Sequence, residues 1–289
     1  MIPVVADVSK FDRTIDWAAA FAGRPELTGA IVRALFGFEG DAFFDLNVRR
    51  LSDLGRSYSP YFTMVPHYDI DLQIEYLQAS LGADNWKCEG YLIPPSPELP
   101  NGVLNRLWVD CEVNSELSQS SAAARVKVLL DKAEAYLADN HTTPNTLPGQ
   151  AKPGVYTNQS WWGAYVGYRT WAKDHKLWVA NPGAVVPAMP VGWSEYELFQ
   201  YTWTGDLAGF VRRPKVDLSK PFVRIPGTYR AKVTASTLNV RSGPSTSFPV
   251  VGSLTYGALV TVYEERTGWA KISATEEKWC SKMYLVVVP

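Results

Sequence analysis

Over roughly its first 220 residues the chain alternates short apolar runs with stretches of helical period, and that rhythm leaves few folds open. Ile2 to Val8, Gly29 to Leu35, Tyr61 to Val65 and Leu107 to Glu112 read as strands. Between them, Asp16 to Phe21, Asp45 to Leu54 and Ser118 to Asn140 read as helices. In the last, Val126, Leu129, Leu130, Ala133 and Leu137 recur with the 3.6-residue period of a helix that buries one face. Gly154 to Asn158, Lys176 to Ala180 and Leu198 to Tyr201 follow as further short strands. Strands separated by helices predict βα units around a parallel sheet or barrel, hence an α/β fold. The stretch from His67 to Gly102 fits this rhythm least. Leu72 to Leu81 is helical in pattern, but Tyr91 to Pro97 is rich in proline and predicts a rigid loop, so the segment reads as an insertion near the strand ends.

The texture changes near Lys220. Pro221, Pro226 and Gly227 mark a linker over 223–228, and from Thr228 the chain alternates in the manner of an all-β module. Thr237 to Arg241, Val250 to Gly252, Leu259 to Tyr263 and Trp269 to Ile272 read as strands of a small barrel. Two domains are therefore expected, 1–222 and 223–289.

Charge excludes little by itself. Lys+Arg 28 against Asp+Glu 29 gives no signal for nucleic acid. From Tyr229 onward there are 7 Lys/Arg against 4 Asp/Glu, which leaves 21 against 25 upstream, so a mildly basic tail follows a mildly acidic body. The three cysteines have no metal-ligand spacing and the three histidines no zinc-type pairing. Cys111 reads as a small core residue, and His141 and His175 as surface residues. No metal and no cofactor is expected. The first residues lack the basic start of a secretory signal, and no run approaches membrane-spanning length, so no membrane insertion is expected. A monomer is assumed.

Chemistry concentrates in Asp110-Cys111-Glu112. On a strand, Asp110 and Glu112 point one way and Cys111 the other. Two carboxylates on one buried face repel each other and resist desolvation, a cost usually tied to a metal, a basic partner or a reaction. The bland alternative is a solvated strand end. In a parallel barrel, catalytic groups collect at the C-terminal strand ends. Asp7 ends the first strand, the Asp110/Glu112 pair ends the fourth, and Asp217 follows the last. Four carboxylates without a His or Cys partner suit two-carboxylate hydrolysis, not serine- or cysteine-type nucleophilic catalysis. Aromatic content is high, with 11 Trp and 15 Tyr. Trp161, Trp162, Trp178, Trp193 and Trp203 fall around strand ends, where flat faces suit sugar rings, although for any single one the core is the default.

Asp7-Val8-Ser9 with Ile15-Asp16-Trp17, Trp108 to Glu112, Tyr156-Thr157-Asn158, Leu177 to Ala180, Gln200-Tyr201-Thr202 and Val216 to Ser219, in that order, resemble the family 25 glycoside hydrolases. These are lysozymes of the N-acetylmuramidase type found in bacteria and phages. The resemblance covers residues 1 to about 222. The tail resembles a bacterial SH3-type cell-wall-binding domain through Leu238 to Pro244, Gly252, Gly257, Gly268-Trp269 and Trp279. The first resemblance implies a flattened, irregular β/α (TIM-like) barrel that cuts the β-1,4 bond between N-acetylmuramic acid and N-acetylglucosamine in bacterial peptidoglycan. It implies Glu112 as proton donor, and Asp110 as the group that stabilises developing charge or orients the substrate acetamide. Asp7 and Asp217 would line the same cleft, with Tyr156, Tyr61, Trp178 and Gln200 as substrate contacts. Carboxyl separation distinguishes a protein nucleophile (about 5 Å) from an attacking water (about 6.5–9.5 Å), and strand spacing leaves that open.

The sequence departs from the family at Tyr61-Phe62-Thr63-Met64, which has no His, at Ser219 in place of Asn, and in the 67–102 insertion. Action at the cell wall is expected, in a phage endolysin or a bacterial autolysin. Competing readings are a non-catalytic wall binder on a degenerate barrel, and a hydrolase of another acetylated glycan such as chitin.

Overall fold

The computed structural model describes residues 3–82, 91–93, 103–104, 106–142, 151–184, 187–193, 195–210, 215–221, 228–266 and 268–288. The chain divides into two compact units, Met1–Phe222 and Val223–Pro289. In the first unit the order is β1 (Val4–Val8), α1 (Trp17–Gly23), β2 (Leu27–Phe36), β3 (Glu39–Gly40), α2 (Phe44–Asp53), β4 (Ser57–Thr63), α3 (Ile70–Gly82), β5 (Tyr91–Ile93), β6 (Val103–Leu104) and β7 (Trp108–Asp110). It continues with α4 (Gln119–Asn140), β8 (Gly154–Thr157), α5 (Gln159–Tyr165), β9 (Leu177–Ala180), β10 (Leu198–Asp206) and β11 (Lys215–Pro221).

The strands β1, β2, β4, β7, β8, β9 and β10 run parallel around a ring, and β11 closes it antiparallel to both β10 and β1. The short β3 hangs on β2 outside the ring. The result is a closed eight-stranded α/β barrel that departs from strict βα repetition at its seam, where a β10–β11 hairpin replaces the last crossover.

Local sequence explains the elements. Asp16 caps α1 by accepting from the Ala19 amide at 3.0 Å, and Ser118 caps α4 by accepting from the Ser121 amide at 3.2 Å. The buried stripe of α4 is the periodic set read from the sequence, extended by Ala122 and Ala123. Along the strands one face meets the helices: Ala6, Val8, Ala30, Val32, Phe62, Val109, Cys111 and Val155 join one core with α1 to α5. The alternate residues Val5, Ile31, Trp108, Tyr156, Trp178, Ala180 and Leu198 form a separate cluster with Tyr61 inside the barrel. Gly154 makes room for that filling, because a Cβ there would meet the Trp108 ring at 2.4 Å.

Several expectations need correction. Tyr91–Ile93 is a strand paired with Val103–Leu104, not part of a loop; 94–100 and 83–90 lie outside the described residues. The third ring strand begins at Ser57, four residues before Tyr61, because Tyr58 to Pro60 already pair with β2. His141 and His175 are buried, not superficial. His141 Nε2 shares a hydrogen bond with the Tyr136 hydroxyl at 2.6 Å, and His175 Nδ1 with the Pro153 carbonyl at 2.9 Å. Those partners offset part of the cost of burial, and polar flanking sequence hides them.

The second unit contains β12 (Tyr229–Val233), β13 (Thr237–Arg241), β14 (Val250–Thr255), β15 (Leu259–Val262), β16 (Glu264–Arg266), β17 (Trp269–Lys271), β18 (Trp279–Ser281) and β19 (Leu285–Val287). They form two sheets, β15-β12-β19 and β14-β13-β18-β17-β16, around Ala231, Val233, Leu238, Val262, Ala270 and Cys280. This is more strands than expected, since three-residue strands carry too little pattern to be seen. The Arg-Ser-Gly-Pro turn has a clear physical basis. Arg241 Nη1 donates to the Thr246 and Phe248 carbonyls at 3.0 and 2.8 Å, and a Cβ on Gly243 would meet the Phe248 ring at 2.5 Å.

Candidate active site

One cavity of about 60 Å³ in the barrel is lined by Asp7, Tyr61, Asp110, Glu112, Tyr156, Trp178, Gln200 and Asp217. All eight residues singled out in the sequence therefore converge. The cavity holds a few waters or one small substituent, not a sugar ring, which must lie across its open side.

The routes by which the carboxylates arrive differ in part from expectation. Asp7 is the penultimate residue of β1. Asp110 is the last residue of β7, and Glu112 lies two residues beyond the strand. The chain stays extended there, with the Cys111 amide donating to the Tyr156 carbonyl at 2.8 Å and Thr157 Oγ1 to the Cys111 carbonyl at 2.8 Å. Cys111 accordingly faces the outer core while its neighbours face the cavity. Asp217 does not follow the last strand. It lies within β11, directly opposite Asp7 in antiparallel register, so the seam hairpin delivers the fourth carboxylate from the side.

Hydrogen bonds fix the floor. Thr63 Oγ1 donates to Asp110 Oδ2 at 2.7 Å, while Asp110 Oδ1 has no partner among the described residues. Gln200 Nε2 spans both Asp7 oxygens at 3.1 and 3.2 Å, and its Oε1 accepts from the Tyr156 hydroxyl at 2.9 Å. Trp178 Nε1 donates to Ser219 Oγ at 2.9 Å, which gives the buried Ser219 a structural task at the position where it departs from the family. Trp178 packs edge-on against Tyr156, Trp108 and Tyr61 with ring centroids 4.5, 5.8 and 6.2 Å away.

Electrostatics push the acids in one direction. Burial first, then the charge of Asp217, raises the Asp7 carboxyl well above its ordinary range against the pull of Gln200. Burial and then Glu112 raise Asp110 well above its range, opposed by the Thr63 hydrogen bond and by Arg33. Glu112 is exposed at the rim, yet crowding by protein still raises its carboxyl, again opposed by Arg33. The two side chains titrate as a pair that keeps a proton at pH values where separate carboxyls are both charged. Burial likewise holds the Tyr61 and Tyr156 hydroxyls protonated.

Sequence reasoning missed Arg33 and Thr63. Arg33 stands beside Tyr61 in the β2–β4 register, is buried, and donates through Nε to Asp41 Oδ2 at 3.0 Å. Asp41 is itself held by the amides of Lys10 at 2.7 Å and Phe43 at 3.0 Å. A lone cation inside Ile31-Val32-Arg33-Ala34-Leu35, in phase with Ile31, was the available signal. Of the five tryptophans grouped in the sequence, Trp178 alone lines the cavity. Trp162 packs on Trp193 at 4.6 Å and joins Trp161 in the outer core, and Trp203 is exposed.

Known proteins resemble parts of this chain in sequence and fold. Residues 104–210 match the model of glycosyl hydrolases family 25, and residues 236–286 match that of the bacterial SH3 domain. No curated protein matches the chain. Among solved structures, the bacterial lysozyme of Streptomyces coelicolor is 20% identical with TM-score 0.60, covering 77% of this chain and 93% of its own. A muramidase from Acremonium alcalophilum is 19% identical with TM-score 0.58, covering 78% and 95%. The catalytic domain of endolysin ply40, from bacteriophage P40 of Listeria monocytogenes, is 16% identical with TM-score 0.52, covering 76% and 93%. At these identities the structural likeness concerns the fold. Residues 104–210 thus match the family 25 glycosyl hydrolases, within a barrel whose fold is shared with the lysozyme of Streptomyces coelicolor, and residues 236–286 match the bacterial SH3 domain.

Proposed function

We propose that the chain is a muramidase that cleaves the β-1,4 bond between N-acetylmuramic acid and N-acetylglucosamine in peptidoglycan, with its second unit holding it to the wall. The observation that carries this reading is the Asp110/Glu112 pair, flanked by Asp7 and Asp217 in one cavity. Family 25 sequence across residues 104–210 and the lysozyme, muramidase and endolysin among its structural relatives support it.

Glu112 is the proton donor. It stands at the exposed rim with a raised pKa, so it reaches a glycosidic oxygen lying across the opening and keeps a proton to give. Asp110 is the charged partner. Thr63 donates to it and Arg33 lies near, and both favour its ionised form as positive charge develops on the sugar. Asp110 acts either on that charge directly or on the substrate acetamide, which the small cavity can seat. Asp7, locked by Gln200, and Asp217 shape the field around the pair. Tyr156, Tyr61, Trp178 and Gln200 hold the walls and contact substrate.

The bacterial SH3 domain matched over residues 236–286 supports wall retention. The same resemblances support action at the cell wall, and our reading is a phage endolysin or a bacterial autolysin. Among the described residues no helix is long and apolar enough to cross a membrane. Clearing of purified cell walls by the intact chain tests the reading: Glu112→Gln should abolish it, and undiminished clearing would end the assignment. Removing 224–289 should weaken retention on intact walls while sparing hydrolysis of soluble fragments. Equal loss of both would make the second unit a structural support only.

A further inference from the structure

Trp203 is 54% exposed, whereas the other described tryptophans are buried or only partly exposed. Its indole is nevertheless fixed. Nε1 donates at 2.9 Å to Gln200 Oε1, the same oxygen that accepts from Tyr156, and Gln200 in turn clasps Asp7. An exposed aromatic ring is thus moored one side chain from the carboxylates.

The backbone is shaped to place it there. In a regular strand residues 200 and 203 face opposite ways. Here the pairing of β10 with β11 slips twice, between Gln200 and Thr202 and between Thr202 and Gly205, and these bulges turn Trp203 to the side of Gln200. The Thr204 amide donates to Thr202 Oγ1 at 3.1 Å and steadies the turn. Gly205 admits Leu218, whose Cδ1 would lie 2.3 Å from a Cβ at that position. Such an arrangement orders a large side chain without burying its face, a cost that a bound ligand offsets.

We propose that Trp203 is a stacking platform for one pyranose ring of a β-1,4-linked N-acetylhexosamine chain, next to the ring that is cut. Equatorially substituted pyranoses present axial C–H bonds on each face. Those bonds suit the π face of an indole while hydroxyl and acetamide groups stay in water. The inference rests on the muramidase reading and adds to it the residue that holds the glycan in register over the cavity.

The test uses the intact chain carrying Glu112→Gln, so that nothing turns over, and calorimetric binding of a soluble, peptide-free glycan of alternating N-acetylglucosamine and N-acetylmuramic acid. Trp203→Ala should weaken binding at least about ten-fold, equivalent to ~1.4 kcal/mol. Trp203→Phe keeps a ring face but loses the Nε1 donor, and should stay within about three-fold of the parent, a loss under ~0.7 kcal/mol. Unchanged binding by Trp203→Ala overturns the platform. Equal loss in both variants also overturns it, because the hydrogen bond to Gln200 would then be the active feature. If Trp203→Ala binds normally while the chain with Glu112 intact still clears walls, the platform alone fails. If the chain neither binds the glycan nor clears walls, both readings fail.

Discussion

Replacing Asp110 by Asn should make the protein more stable and nearly inactive. The side chain is buried, shares its cavity with Glu112, and has one oxygen without a partner among the described residues. Asn keeps an acceptor for Thr63, removes one charge, and can turn its amide toward the unpaired position. Relief of that repulsion is expected to stabilise by about 1–2 kcal/mol at pH 7, within the range of charge optimisation at a strained site. For a unit of this size that is a rise in Tm of about 2–8 °C. The sign follows from proton counting. The folded-state pKa of Asp110 lies above the ordinary 3.8, so between the two values the folded chain holds a proton that the unfolded chain has lost. Parent stability therefore falls as pH rises through that window, and the variant lacks this slope. Melting curves of both chains should converge below about pH 3, where folded and unfolded Asp110 are both largely protonated, and diverge toward neutrality. A variant less stable than the parent at pH 7, or a gap independent of pH, would refute the reasoning. Wall clearing should fall by about 10²–10⁴ in the same protein.

Three further outcomes follow from named contacts. Arg33→Met leaves Asp41 buried without its ion-pair partner and should cost about 3–5 kcal/mol in denaturant unfolding. Because Arg33 lowers both Asp110 and Glu112, the surviving folded enzyme should show both limbs of its kcat/KM profile at higher pH, and Arg33→Lys should restore them. Gly154→Ala forces a methyl into the Trp108 ring; overpacking of this kind costs about 1–3 kcal/mol, read as a lower Tm. Gln200→Leu removes the clasp on Asp7 and the acceptor of Tyr156 and Trp203, and should lower kcat by more than ten-fold, about 1.4 kcal/mol, in assays on soluble glycan.

Much of the barrel was legible because its strands and helices differ in period. The α4 stripe and the outer faces of β1, β2 and β8 are local patterns that no tertiary contact overrides. The seam was not legible. Val216-Asp217-Leu218-Ser219 is apolar at alternate positions whether it runs parallel or antiparallel, so pattern alone could not show that Asp217 stands opposite Asp7 within a strand. The four carboxylates were found because acidic residues are conspicuous at the ends of apolar runs, whereas Tyr61, Tyr156, Trp178 and Gln200 came as substrate contacts from the family resemblance. Thr63 and Arg33 escaped because their importance lies in side-chain partners, Asp110 and Asp41, that no periodicity shows, and the buried histidines escaped because one hydrogen bond each, to Tyr136 and to the Pro153 carbonyl, lets them sit inside without an apolar context. The β10 bulges depend on Gly205 fitting Leu218, a contact that no periodicity encodes.

The most direct measurement is the chemical identity of the new reducing ends after digestion of purified peptidoglycan, read by borohydride reduction and mass analysis for the intact chain and for Glu112→Gln. Reduced muramic acid from the intact chain, and none above background from the variant, is the expected result. Reduced glucosamine from the intact chain, or equal release by both proteins, would contradict carboxylate catalysis of muramidase cleavage at this site.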